Sequence, residues 1–273
     1  MSATNSYLIN GSFNQAISPF DRGFSYGDGV FRTLKIINGQ PQHWPQHYQK
    51  LVADCAAISI VSPSAELLIS DMLQLFNPDE IAVAKIMITR GEGERGYAPP
   101  AVTTPTRVII KSSLPKYAQS NYTQGVALHV CNTRLNAQPK LAGIKHMNRL
   151  ENVLARMEWK SESIFDGLML DAADNVIECT MSNIFARFGD DLITPDLSQC
   201  GVAGITRQQI IDHAKPLELN VKTAPLSIER LLKADEIVTC NSLYGAFQVN
   251  KIGTQLVHTA DLAKRIRELL AHD

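Results

Sequence analysis

One lysine stands where a short apolar run gives way to a strongly periodic segment, and this junction constrains the fold more than any other stretch. Leu141-Ala142-Gly143-Ile144-Lys145-His146-Met147-Asn148 leads into Leu150, Val153, Leu154 and Met157. Those four residues have the i, i+3, i+4, i+7 spacing of one apolar helical face, and Asn148 is placed to cap it. The pattern predicts a helix buried on that face, with Lys145 just before it rather than on its solvated side. A lysine held among Leu141, Ile144 and Met147 is partly desolvated. Desolvation disfavours the ammonium form and brings a neutral, nucleophilic amine within reach, which is what Schiff-base chemistry needs. The competing reading is a lysine at the helix start whose head snorkels to water, and spacing alone leaves both open.

The chain has 273 residues, enough for two modest domains or one large one, each with a core that needs no disulfide. Lys plus Arg number 26 against 27 Asp plus Glu, so charge gives no argument for nucleic acid or an anionic membrane as partner. A small-molecule site is the default expectation. Cys55, Cys131, Cys179, Cys200 and Cys240 lie among apolar neighbours with neither a CxxC pair nor a zinc-ligand spacing, and are expected to be reduced core residues with no metal. No basic segment followed by an apolar core opens the chain, and no eighteen uncharged apolar residues run together. The expectation is a soluble, cytoplasmic protein.

Two Asn-Gly pairs, Asn10-Gly11 and Asn38-Gly39, supply the positive φ angles of two-residue hairpin turns. Between them, the glycine-rich segment Asp21 to Gly29 leads into a partly alternating strand, Val30 to Ile37. Pro45 suits a first helical turn, with Tyr48, Leu51, Val52, Cys55 and Ala56 as the apolar face, and a second helix is predicted from Ser62-Pro63 through Phe76. Ile81 to Thr89 reads as a buried strand interrupted only by Lys85. Gly91-Glu92-Gly93-Glu94-Arg95-Gly96 then matches GxGxxG after a strand, but Tyr97-Ala98-Pro99-Pro100 cannot open the helix that would hold a pyrophosphate. A dinucleotide-binding reading therefore fails on context. The aperiodic, proline-containing stretch Ser112 to Asn121 marks a domain boundary. Beyond it, Phe165–Leu170 and Val176–Cys179 flank a turn and read as paired strands, which puts Glu178 among buried residue types, where a carboxylate needs a partner. Cys200 to Arg207 is a glycine loop opening a helix, so the amides of Ile205 and Thr206 and the Thr206 hydroxyl would meet an anion, or Thr206 would serve as a cap. Asp235 to Ser242 is a strand ending in polar groups, and a terminal amphipathic helix over 262–270 leaves Lys264, Arg265 and Arg267 solvated.

IKHMNRLENVLAR, followed by ECTMSNIF at 178–185, resembles the lysine and glutamate motifs of the fold-type IV pyridoxal-phosphate enzymes. Within that group the chain is similar to the aminodeoxychorismate lyases, from Asn10-Gly11 to the C-terminal strands, with the motifs in the family's order. The resemblance implies an α/β fold of α+β type: a small N-terminal α/β domain over 1–114, a linker over 115–122, and a larger C-terminal domain over 123–273 that carries Lys145 and a barrel-like sheet. The cofactor, pyridoxal 5'-phosphate, would lie between the domains of a homodimer.

The same resemblance implies the site. Lys145 would hold pyridoxal phosphate as a Schiff base and move the C4 proton of 4-amino-4-deoxychorismate, and Glu178 would keep the pyridine nitrogen protonated. The family's His-x-x-Arg-Leu pattern, whose arginine grips the cofactor phosphate, is here His47-Tyr48-Gln49-Lys50-Leu51, so a cation without a bidentate fork takes that role unless Lys50 is only a surface lysine. Ile205, Thr206, Asn241 and Ser242 fall on the family's phosphate and substrate side. The segment RGEGERGY resembles the lyase pattern RGxGxRGY, which assigns Arg95 and Tyr97 to the substrate, Arg95 to a carboxylate unless it pairs with Glu92 or Glu94. Phe31 and Thr33, on the strand that lines the family's active site, are expected near the substrate, Thr33 as a hydroxyl for proton delivery and Phe31 equally readable as core. The implied products are 4-aminobenzoate and pyruvate. Amino-acid transamination on the same fold is the alternative.

Overall fold

The structure, a computed structural model, describes residues 6–271. It divides into two compact units, one made of the chain up to Pro115 together with Ile144–Asn148, the other of Lys116–Gly143 with Arg149 onward. Lys145 therefore groups with the first unit, whereas the resemblance implied a C-terminal domain over 123–273 that carries it.

The first unit contains β1 (Ser6–Ile9), α1 (Arg22–Tyr26), β2 (Gly29–Ile37), β3 (Gln40–Pro41), α2 (Trp44–Ala57), α3 (Ala65–Leu75), β4 (Ala82–Thr89) and β5 (Thr106–Ser112). Its sheet is antiparallel throughout, in the order β1-β5-β4-β2-β3. Asn10 and Gly11 take φ of 51° and 81°, as a primed turn requires, yet the turn closes only the bridge Ile9↔Ser12. The strand that β1 needs comes from β5 instead, about a hundred residues away, because a two-stranded hairpin alone is marginal in water. Asn38 and Gly39, at φ of 51° and 70°, turn β2 directly into β3. Along β2, Val30, Arg32, Leu34 and Ile36 are buried while Phe31, Thr33 and Lys35 are half-buried, so one strand has a core face and an open face. The core face packs with Leu51 and Cys55 of α2 and Leu68 and Met72 of α3. The second helix begins later than predicted, where the Ser64 hydroxyl accepts from the amide of Leu67.

The second unit contains α4 (Gln119–Thr123), β6 (Val126–Leu135), α5 (Leu150–Arg156), β7 (Ile164–Asp171), β8 (Val176–Cys179), β9 (Asn183–Phe188), β10 (Asp191–Pro195), α6 (Ile205–His213), β11 (Asn220–Ala224), α7 (Ile228–Leu231), β12 (Glu236–Asn241), β13 (Gly245–Ile252), β14 (Gln255–Leu256) and α8 (Leu262–Ala271). Nine strands form one mixed sheet, in the order β11-β10-β9-β12-β13-β6-β7-β8, with β14 added beside β13. The sheet curls, bringing its last strand β8 back near β9 and β10. Two sheets of this kind make the mixed α/β fold that the resemblance implied. Inside, Tyr117, Phe165, Tyr244 and Phe247 form an aromatic cluster, the last two stacked with centroids 4.2 Å apart.

Three sequence-based expectations fail here. The apolar face after Lys145 is not buried: Leu150, Val153, Leu154 and Met157 are 70, 52, 49 and 71% exposed. The helix begins at Leu150 with Arg149 at its N-cap, and the Asn148 side chain instead donates to the carbonyl of Gly27 at 3.1 Å. On α8, two of the three basic residues expected to be solvated hold backbone: Arg265 donates to the Leu217 carbonyl, and Arg267 to the Ala246 carbonyl while lying over the Tyr122 ring. All five cysteines are free and buried, and burial pushes the Cys55 and Cys240 thiols up to about 12. Among the described residues no helix is long and apolar enough to cross a membrane.

Candidate active site

In the first unit Lys145 is built into the sheet edge as an extra backbone segment. Its carbonyl accepts from the amide of Phe31 at 2.9 Å, the amide of Met147 donates to Gly29 at 2.9 Å, and Val30 and His146 form a bridge. This pairing places the Lys145 Nζ 4.6 Å from the centre of the Phe31 ring. Lys145 is half-buried, and so is Phe31, which lies on the open face of β2 with Thr33. The alternation of β2 thus presents both residues on the same face, away from the core that Arg32 and Leu34 enter.

The backbone amide of Lys145 donates to Oδ2 of Asp54 at 3.2 Å. Asp54 is 1% exposed and also takes the guanidinium of Arg32 and the ammonium of Lys50, which lies one turn earlier on α2. Lys50 is thus no mere surface lysine: burial, then the charge balance with Asp54 and Arg32, leaves its ammonium below the usual lysine range. Beside them His47 is pushed down to about 3, first by burial and then by the charges of Arg32, His43 and Lys145, and stays neutral. Neither Asp54 nor Arg32 was singled out from the sequence. The signal was present: each is a charge at an otherwise apolar position, Asp54 three residues after Leu51 on the buried face of α2 and Arg32 between Val30 and Leu34 on the core face of β2.

Arg95 and Tyr97 lie on the loop after β4, both exposed, Tyr97 by 86%. Arg95 makes no ion pair with Glu92 or Glu94. The loop is held through its backbone, where Arg22 donates to the carbonyls of Gly96 at 3.0 Å and Tyr97 at 2.9 Å. Asp28 anchors both Arg22 and Arg90, and the Gly96 amide donates to the Tyr26 hydroxyl. No helix follows GEGERG, in keeping with the rejected dinucleotide motif.

In the second unit Glu178 is 4% exposed on β8, and its Oε2 accepts from the amide of Val202 at 2.9 Å. That bond ties the acid to the glycine loop before α6. Asn183 closes the same loop, donating to the Val202 carbonyl at 2.8 Å and accepting from the Gly204 amide at 3.1 Å. Gly204 is the N-cap of α6 and offers no side chain, so the first amides of the helix, including those of Ile205 and Thr206, have no side-chain cap. The Thr206 hydroxyl lies 3.4 Å from that of Ser242. The Asn241 carboxamide is engaged in its own turn, accepting from Leu243 and Tyr244 and donating to Met181. A primary amine, a buried carboxylate and an uncapped helix start flanked by two hydroxyls are the donor set that an aromatic aldehyde bearing a ring nitrogen and a phosphate requires. The residues present fit pyridoxal phosphate.

The profile of the family described as amino-transferase class IV matches residues 29–252, most of the chain. The chain belongs to that family. Among its relatives, the aminodeoxychorismate lyase of Vibrio harveyi is 37% identical over 246 residues, 90% of this chain and 91% of the relative. The D-alanine aminotransferase of Listeria monocytogenes is 27% identical, over 80% of this chain and 75% of its own. Of solved structures, the 4-amino-4-deoxychorismate lyase of Pseudomonas aeruginosa superposes with a TM-score of 0.92 at 37% identity, covering 98% of both chains.

Proposed function

We propose that the protein is a pyridoxal-phosphate-dependent aminodeoxychorismate lyase, converting 4-amino-4-deoxychorismate to 4-aminobenzoate and pyruvate for folate synthesis. The observation that carries the reading is the 37% identity to lyases over nearly the whole chain, with Lys145 and Glu178 both present. Bound pyridoxal phosphate supplies an electron sink for the electrons released at C4. Everything else falls to the chain's own residues. Lys145 would hold the cofactor's aldehyde end through its amine, and the same amine would take the C4 proton of the substrate. Glu178 keeps a proton on the ring nitrogen, a task suited to a buried carboxylate with one oxygen held by the Val202 amide. Lys50, the amides of Ile205 and Thr206 and the hydroxyls of Thr206 and Ser242 take the phosphate. Asn241 shapes the turn beside Ser242. Arg95, with Tyr97 beside it, takes a substrate carboxylate, and Phe31 lines the amine.

Loss of the C4 proton is matched by departure of the enolpyruvyl oxygen from the ring. The ring becomes aromatic and the released enolpyruvate tautomerises to pyruvate. Thr33, on the open face of β2 with Phe31, delivers the proton to the leaving group; a Thr33→Val variant that turns over normally removes it from the mechanism. The exposed apolar face of α5 supports a homodimer, which light scattering tests directly. We place the enzyme in the cytoplasm.

The test is to supply aminodeoxychorismate and follow both products. Equal release of 4-aminobenzoate and pyruvate, abolished in Lys145→Ala, is expected. A protein that binds pyridoxal phosphate and releases neither, but transfers amino groups from D-alanine or leucine to 2-oxoglutarate, is a transaminase instead.

A further inference from the structure

Resting on the reading that Lys145 and Lys50 serve the aldehyde and phosphate ends of one cofactor, we propose that Asp54 is the positioning residue that holds the two lysines in register. A carboxylate has about four acceptor sites, and here they are divided. Oδ2 takes the backbone amide of Lys145 and the guanidinium of Arg32, and Oδ1 takes the ammonium of Lys50. One rigid three-atom group therefore joins segments that are 91 residues apart in the chain.

The physical need is specific to lysine. A guanidinium presents a planar fork whose direction follows from its own shape, whereas an ammonium is a point charge on a flexible stem and must be aimed from outside. Asp54, one helical turn along α2, aims it by accepting from one of its three donors. The Lys50 side chain is 24% exposed, so it is not sealed in the core. Arg32 is sealed there. Its side chain is 3% exposed and lies on the core face of β2, opposite Phe31 and Thr33, with Nε buried and unpartnered. Arg32 balances the charge of Asp54 from the core side. If stability were the only role, a well-packed apolar pair would replace Arg32 and Asp54 without loss.

That difference defines the experiment. Affinities of the purified protein for pyridoxal phosphate and for pyridoxal, which lacks the phosphate, are measured by titrating the visible absorbance, and the melting temperature of each cofactor-free variant is recorded. In Asp54→Asn the preference for the phosphorylated ligand falls about tenfold, the scale of one hydrogen bond to a charged group. The double variant Arg32→Met/Asp54→Asn, freed of an unpaired buried guanidinium, recovers melting temperature but not the preference. Lys50→Met lowers the preference similarly, and Asp54→Asn added to it lowers it no further, as coupled residues require. A double variant of Arg32 and Asp54 with wild-type preference, or losses at Lys50 and Asp54 that simply add, overturns the proposal and leaves Asp54 a partner of Arg32 alone. A wild-type protein with no preference for pyridoxal phosphate over pyridoxal instead overturns the cofactor reading beneath it.

Discussion

Replacing Gly204 by alanine tests how the start of α6 is held. Its φ of −72° suits any residue, so the cost is purely one of space. A Cβ there would stand 2.3 Å from Oδ1 of Asn183, well inside contact distance. Asn183 is buried and its two bonds, to the Val202 carbonyl and from the Gly204 amide, are the ones that close the loop. Moving its side chain breaks both. Each is worth about 0.5–1.5 kcal/mol net, and a buried amide left without a partner adds about 1–3 kcal/mol, so about 2–6 kcal/mol is expected in all. For a chain of this size that lowers the melting temperature by about 4–24 °C. The displaced amides of Ile205 and Thr206 should also weaken pyridoxal phosphate about tenfold, equivalent to about 1.4 kcal/mol, with little effect on pyridoxal. Thermal unfolding and absorbance titration read the two effects separately. An Asn183→Ala background removes the obstacle, so Gly204→Ala should then cost under about 1 kcal/mol. A melting temperature unchanged in the single variant, or equal losses in both backgrounds, refutes the steric argument.

Further outcomes follow from the loop and from surface electrostatics. Arg22→Ala removes the donors to the carbonyls of Gly96 and Tyr97, so trypsin should cleave after Arg95 several-fold faster and KM should rise more than kcat falls; unchanged cleavage means the loop is held otherwise. Burial would raise the Glu158 carboxyl, but donors from Asn132, Thr133 and His129 outweigh it and bring the group down to about 2. A carboxylate depressed in the folded state stabilises above its unfolded value of about 4.5, and that contribution fades as pH falls toward 2. Glu158→Gln should therefore melt lower than the parent at pH 6 and converge with it near pH 2–3, whereas a constant gap across that window speaks against the linkage.

Much of the candidate site could be read because its signals are local. Lys145 and Glu178 stand in short motifs, the uncapped start of α6 follows from its glycines, and the proline pair after GEGERG was enough to exclude a phosphate-binding helix. Asp54 and Arg32 escaped because a single charge in an apolar pattern says only that a partner exists, and theirs come from another strand, another turn and a segment 91 residues on. Asn148 looked like a cap by spacing alone, yet its side chain went to the carbonyl of Gly27.

The sequence by itself determined the turns at Asn10-Gly11 and Asn38-Gly39, the two faces of β2 and the family motifs. Each depends on φ preference, side-chain period or chemistry within a few residues. Tertiary structure alone decided that β1 pairs with β5, that the Lys145 segment joins β2, and that one carboxylate serves two lysines and an arginine. It also decided that the apolar face of α5 stays open within one chain. Periodicity reports which residues are apolar; what covers them, and which distant backbone returns to satisfy a strand or a charge, depends on where the rest of the chain goes.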